Sequence, residues 1–205
     1  MTIRPLIIAA AIAAIGLPAI SSAAEPFKLV QTVPTRIKPE RTKDIRTPSA
    51  SEIQRKLEVA PQFRVKPQDR VTIQEFKRRP ELRRRAPSID IQSINFAFAS
   101  AEIPYSQYGK VENIAIALDA MLSRNPGARV LIEGHTDAVG SDQTNYLLSE
   151  RRAASLKNML VVEFGIPRRA LETVGYGEEY LIVPTNYESW ENRRVTLRRY
   201  DAFVR

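Results

Sequence analysis

The sequence predicts an α+β fold: a two-layer βαβαβ(α)β sandwich at residues 91–205, preceded by a disordered basic segment. Two long segments beyond residue 91 repeat apolar residues at helical spacing, and short apolar segments alternate with them. Charge marks the boundary, because residues 25–90 contain 17 Lys and Arg against 9 Asp and Glu, whereas residues 91–205 contain 13 against 14. Two helices with one apolar side each are typical of a layer that packs on one face of a sheet.

The elements of the sandwich follow from periodicity and from helix-breaking residues. Apolar residues recur at helical spacing from Val111 to Leu122, and Asn125-Pro126-Gly127 ends that helix. A second helix is predicted at residues 142–164, with Gly165 as its C-cap. The predicted strands are residues 89–98, 129–133, 171–176 and 194–200, with a short helical turn at 188–192.

The first 24 residues predict a cleaved signal peptide and therefore an exported protein. Arg4 precedes a mostly apolar run at 6–20, and Ser22-Ala23-Ala24 supplies the small residues of a cleavage site. An uncleaved anchor is the alternative, although the run is shorter than the roughly 20 apolar residues that span a bilayer. The chain contains no cysteine, so we expect no disulfide and no lipidated cysteine behind the signal.

Residues 25–90 predict a basic, proline-rich linker that is largely disordered. They contain eight of the fourteen prolines and no glycine, and their apolar residues are scattered. A short helix is predicted from Thr72 to Lys77, with an extension to Arg85 that Pro80 would end or kink. The basic runs at 77–79 and 83–85 are interpreted as solvated; the alternative is contact with an anionic membrane surface or an envelope protein.

A carboxylate and a guanidinium are predicted to approach each other beside the second helix. Asp137 follows the strand at 129–133, and Asn145, Ser149 and Arg152 share one face of the helix at i, i+4 and i+7. Such a pair could bind a zwitterionic ligand, with the ammonium on Asp137 and the carboxylate on Arg152. The alternative is an ion pair between Asp137 and Arg152 that only fixes the loop.

The order EGHTDxxGS, Asn145 and LSxRRA at residues 133–153 resembles the OmpA-like C-terminal domain, whose members bind peptidoglycan. The resemblance covers about residues 93–200 and extends to GYGE at 175–178 and NRRV at 192–195. It implies a mixed parallel and antiparallel sheet, and diaminopimelate of the stem peptide as the ligand. The ligand-binding residues that it implies are Asp137, Arg152, Asn145 and Thr136, with Arg194 in reserve. The loop at 98–101 departs from the family, which often has an aspartate or asparagine there.

The resulting functional hypothesis is non-covalent binding of peptidoglycan in the periplasm, which would anchor or tether the cell envelope, with a possible association with the outer membrane. The alternative is an envelope or secretion-complex assembly protein whose OmpA-like domain docks proteins.

His135 is the only histidine and is predicted to be packed and hydrogen-bonded, so neither a metal site nor a cofactor is expected. Catalysis is not expected, because no nucleophile or acid/base motif occurs. Nucleic acid is not an expected partner, since few aromatic residues interleave the charges.

Overall fold

The computed structural model describes residues 47–61, 65–92, 94, 96 and 100–205. The predicted signal peptide, the predicted linker up to residue 46 and the loop residues 97–99 lie outside these ranges. The elements in chain order are α1 (Ala50–Leu57), α2 (Ile73–Arg78), α3 (Pro80–Arg83), β1 (Ser88–Ile91), α4 (Tyr108–Arg124), β2 (Val130–Gly134), α5 (Asp142–Val162), β3 (Leu171–Gly175) and β4 (Val195–Arg199).

The four strands form one mixed sheet in the order β1-β4-β2-β3. Strands β2 and β3 are parallel, whereas β4 is antiparallel to both β1 and β2. At the centre, Ile132 is opposite Thr173 on one side and Leu197 on the other. The predicted α+β fold and the mixed sheet that the resemblance implied are therefore confirmed. Strand β1 ends at Ile91, and part of the strand predicted beyond it, residues 93, 95, 97 and 98, lies outside the described residues.

Helices α4 and α5 cover one face of the sheet and enclose the main apolar core. Val130 and Ile132 of β2 point into this core, where they join Leu118 of α4 and Leu156 of α5. Ser141 caps α5, since its hydroxyl accepts the backbone N–H of Thr144 at 3.2 Å. The two predicted helices and the layer that they form are thus present.

A second apolar cluster covers the opposite face of the sheet. Leu131 points away from α4 and α5 and packs with Phe76 of α2 and the C-terminal residues Tyr200 and Phe203. The Phe76 ring centroid is 5.6 Å from that of Phe203 and 5.8 Å from that of Tyr200. Beyond the two predicted layers, α2, α3 and the C-terminal residues therefore form a further cover.

Helix α2 begins and ends close to the residues that the sequence predicts. Thr72 and Glu75 form a capping box: the Thr72 hydroxyl accepts the Glu75 N–H at 3.2 Å, and the Glu75 carboxylate accepts the Thr72 N–H at 2.8 Å. Arg79 is extended, and Pro80 starts α3 instead of continuing the same helix.

The predicted linker is corrected where the structure describes it. Ile53 and Leu57 of α1 are fully buried in the main core, and Phe76 of α2 is fully buried in the second. Packed residues therefore lie well before the predicted domain boundary at 91. The packing could not be predicted from composition, because the few apolar residues of this charged segment show little periodicity. They nevertheless complete the core.

Replacing Ile53 with alanine is expected to lower the free energy of unfolding by about 2–5 kcal/mol, because a fully buried side chain leaves a cavity. Ile116→Ala is the matched control, since Ile116 is 53% exposed on α4 and its loss should change stability by less than about 0.5 kcal/mol. Urea unfolding measures both. Equal effects would contradict the packing of α1 and restore the linker interpretation.

Candidate ligand-binding site

The candidate site lies where β2 ends and α5 passes close to the sheet. A Cβ on Gly134 would lie 2.1 Å from the backbone oxygen of Ser149, and one on Gly175 would lie 2.4 Å from the backbone nitrogen of Glu150. Only glycine fits such an approach of strand and helix. The close packing fixes α5 against the ends of β2 and β3, so Arg152 is held near the loop after β2.

Asn145 and Thr136 hold the loop that carries Asp137. The Asn145 side-chain amide donates to the backbone oxygens of Asp137 (3.3 Å) and Val139 (3.2 Å) and to the Glu178 carboxylate (2.5 Å). The backbone N–H of Thr136 donates to the oxygen of Gly177 at 2.9 Å, and its side chain is buried. Both residues therefore have structural contacts that position the loop.

Arg152 is a buried cation that pairs with no carboxylate in the part of the chain that the structure describes. It is 8% exposed, its Nε donates to the backbone oxygen of Ser100 at 3.1 Å, and its guanidinium lies 4.9 Å from the centroid of the Phe96 ring. No carboxylate of the residues described lies within 4.0 Å of it. Burial lowers the pKa of Arg152, as does Arg193, whereas Asp137 opposes that shift. The guanidinium can therefore bind an external anion by donating hydrogen bonds to it.

Asp137 pairs with Arg193, which is not one of the predicted ligand-binding residues. Its carboxylate accepts a hydrogen bond from Arg193 Nη1 at 2.7 Å, and the same nitrogen donates to Glu188 at 2.7 Å. An ion pair between Asp137 and Arg152, the predicted alternative, is not formed between these two described side chains. The NRRV segment contains Arg193 and could have pointed to it. The sequence alone, however, does not say which of the two arginines in that segment faces the loop.

Arg194, the reserve candidate, is held mainly by backbone. It is 9% exposed, and its Nη atoms donate to the backbone oxygens of Tyr180 (2.9 Å) and Asn192 (3.3 Å). Its Nε lies 3.5 Å from the Asp90 carboxylate. Burial lowers the pKa of Arg194, and Asp90 opposes that shift. Arg194 therefore adds positive charge to the site, but its Nη atoms already have hydrogen-bond partners.

A cavity of about 290 Å³, the first cavity, brings these cations together. Its lining residues include Arg152, Arg193, Arg194, Trp190 and Phe96. Asp137 is not among the lining residues, but it pairs with Arg193, which is one of them. Three guanidinium groups beside two aromatic rings favour a ligand that presents a carboxylate to this cavity.

His135 is packed as predicted, but its ring does not form the predicted hydrogen bonds with any described residue. It is 2% exposed, and its ring lies 5.8 Å from that of Tyr176 at an angle of 29°. Neither ring nitrogen has a hydrogen-bond partner among the residues that the structure describes, and Nε2 is 3.9 Å from Glu133. Burial lowers the pKa of His135 well below 6.5, and Arg194 adds to the shift.

Stability is expected to fall as the pH drops below about 6.5, because unfolded His135 takes up a proton that the folded protein excludes. The group binds more protons in the unfolded state, so the loss reaches up to about 1.4 kcal/mol per pH unit until the folded pKa is passed. Urea unfolding at pH 7 and pH 5 measures it. His135→Phe keeps a ring and should flatten this dependence, whereas an unchanged slope would contradict the assignment.

The described part of the chain also bears on metals and membranes. Within residues 47–61, 65–92 and 100–205, no group of three or more His, Asp and Glu side chains could hold a metal ion. In those same ranges, no helix has the length and apolar character needed to cross a membrane.

Comparisons with known proteins place residues 95–195 in the OmpA family. Residues 95–195 match the model of the OmpA family. Outer membrane porin F of Pseudomonas aeruginosa is 35% identical over 111 residues, which cover 54% of this chain and 30% of the porin. The peptidoglycan-associated lipoprotein of Pseudomonas putida is 45% identical over 75 residues, which cover 36% of this chain and 45% of the lipoprotein. The chain thus spans less than half the length of both curated relatives. The crystal structure of the peptidoglycan-associated lipoprotein from Burkholderia pseudomallei is 27% identical with a TM-score of 0.45, covering 52% of this chain and 87% of that one.

Proposed function

We infer, from the premise that residues 95–195 are an OmpA family domain, that this protein binds peptidoglycan non-covalently through the first cavity. The observation that carries the proposal is Arg152, a buried guanidinium that lines the cavity and has no carboxylate partner among the described residues. Relatives named peptidoglycan-associated lipoproteins support the same ligand class. The role is binding, and no catalytic step is proposed.

The ligand that suits this arrangement is the free end of diaminopimelate in the stem peptide, which carries an ammonium and a carboxylate on one carbon. Arg152 would bind the carboxylate through two parallel hydrogen bonds. Asp137 would bind the ammonium in place of Arg193, whose side chain is 37% exposed and already contacts the outlying Glu188. The ligand thus exchanges one ion pair of Asp137 for another.

The location proposed for this binding is the periplasm, where the domain would tether the envelope to the wall. The basic segment before the domain would supply a second attachment, to an anionic membrane surface or to an envelope protein. Arg83 is only 4% exposed and is therefore too buried to make this contact. Exposed cations such as Arg78 and Arg84 would make it. Each exposed charge contributes roughly 1 kcal/mol near an anionic surface.

Co-sedimentation of the purified protein with isolated sacculi tests the proposed function. The protein should pellet with sacculi that contain diaminopimelate and remain in solution with sacculi that contain lysine at that position. Free meso-diaminopimelate should release it in proportion to concentration. Failure to pellet with either wall would overturn the proposal and favour the alternative of a protein-docking module in envelope or secretion-complex assembly.

A further inference from the structure

A second cavity of about 190 Å³ lies on the face of the sheet that α3 covers. Strands β1, β2 and β4 supply Asp90, Glu133 and Arg198 to its wall, and α3 supplies Arg83. His135 and Arg194 line both this cavity and the first one, so the two cavities adjoin through these residues. Arg152 and Arg193, in contrast, line the first cavity only.

Polar atoms in the wall of this second cavity lack partners. Arg83 Nη1 and both ring nitrogens of His135 are buried and have no hydrogen-bond partner in the part of the chain that is described. Arg83 is 4% exposed and His135 is 2% exposed. A buried donor without a partner is costly. A ligand with several acceptor oxygens would supply partners for Arg83 Nη1 and for the one N–H of the neutral His135 ring.

The charges of the wall are not balanced. Four arginines and two carboxylates line the cavity, and His135 is neutral there, so two positive charges remain: the residues are Arg83, Arg84, Arg194, Arg198, Asp90 and Glu133. Glu133 is already saturated, since Arg83 and Arg198 each donate two hydrogen bonds to it at 2.7–3.4 Å. One positive charge is therefore left over where two arginines share Glu133, and the other where Arg84 and Arg194 face the single carboxylate of Asp90, which lies 3.5 Å from Arg194 Nε.

The guanidinium of Arg83 packs on two aromatic rings in the wall of this cavity. It lies over the rings of Tyr176 and Tyr180, 3.8 Å and 4.3 Å from their centroids, which fixes its plane. Arg194 approaches from the segment before β4, and Arg84 follows the end of α3. Donors that converge from several elements match an anion with oxygens on all sides better than a planar one.

We propose that the second cavity is an anion-binding site for a doubly charged tetrahedral oxyanion of the phosphate class, separate from the peptidoglycan site. Two surplus positive charges match the charge of hydrogenphosphate, and about 190 Å³ is room for several water-sized groups. Because Arg83 and Arg84 belong to the segment that packs on the sheet, the bound anion would also hold α3 in place.

Isothermal titration calorimetry with inorganic phosphate, at constant ionic strength and pH 7.5, tests the site in the purified protein. One saturable site is expected. Arg84→Ala should weaken it about tenfold, the effect of one charged hydrogen bond, and is not expected to unfold the protein because Arg84 is exposed. Arg78→Ala is the matched control, since Arg78 is also exposed but does not line the cavity, and it should leave the affinity unchanged. Acetate, a planar single charge, should bind more weakly by a similar factor.

Two further variants locate the anion. Asp90→Asn removes a negative charge from the wall and should tighten phosphate binding, an effect that general loss of structure would not produce. Arg152→Gln should leave phosphate affinity unchanged, because Arg152 lines only the first cavity. Absence of saturable binding, or binding that Arg152→Gln abolishes and Arg84→Ala spares, would overturn the proposal. Neither result depends on whether the protein pellets with sacculi.

Discussion

Replacing Glu133 with glutamine is expected to lower the free energy of unfolding by about 3–5 kcal/mol, the cost of breaking a buried ion pair from one side. Glu133 is fully buried, and its two oxygens accept hydrogen bonds from Arg83 at 3.2 and 3.4 Å and from Arg198 at 2.7 and 3.0 Å. The variant would leave the buried guanidinium of Arg83 and the half-buried one of Arg198 without a counter-charge on the covered face of the sheet.

The same substitution at Glu172 is the matched control. Glu172 also lies on a strand and pairs with Lys77 at 3.4 Å, but its carboxylate is 42% exposed. An exposed pair contributes roughly 0–1 kcal/mol, so Glu172→Gln should change stability little. Chemical unfolding followed by circular dichroism measures both variants. Similar small losses would show that Arg83 and Arg198 do not depend on Glu133.

Replacing Arg152 with alanine is expected to weaken binding to diaminopimelate-type sacculi by about 30-fold or more. A buried charged pair that loses one partner typically costs about 2–5 kcal/mol of binding free energy. Arg152→Lys should restore only part of the affinity, because lysine keeps the charge but cannot form two parallel bonds to one carboxylate. Binding curves with sacculi at increasing concentration measure the loss.

Arg151→Ala is the control for this series. Arg151 precedes Arg152 on α5 and carries the same charge, but its side chain is exposed to solvent. A general electrostatic attraction to the wall would be weakened equally by both alanine substitutions. Site-specific recognition would be lost only with Arg152, and equal effects would contradict the assignment of the first cavity.

The sequence predicted the sheet and the two long helices because their apolar residues repeat regularly over many positions. Asp137, Asn145 and Arg152 could also be found, since local spacing fixes where they lie on the loop after β2 and on α5. The pairing of Asp137 with Arg193 could not be found, because it joins residues 56 positions apart through a loop without periodicity.

The cover on the other face of the sheet was missed for a related reason. Arg83 lies in a run of three arginines that composition alone assigns to solvent. Only the structure shows that it pairs with Glu133 and packs on the rings of Tyr176 and Tyr180. Buried charge pairs of this kind depend on long-range contacts. Sequence patterns report the side of a helix that is apolar, but they do not report which single charge is buried.

Isothermal titration calorimetry with a stem tripeptide that ends in meso-diaminopimelate tests the central claim most directly. We expect one saturable site in the purified protein that disappears in Arg152→Ala and persists in Arg151→Ala. The matching tripeptide that ends in lysine, which lacks the second carboxylate, should not bind. No heat from the diaminopimelate peptide, or equal binding of both peptides, would contradict recognition of the zwitterion by the first cavity.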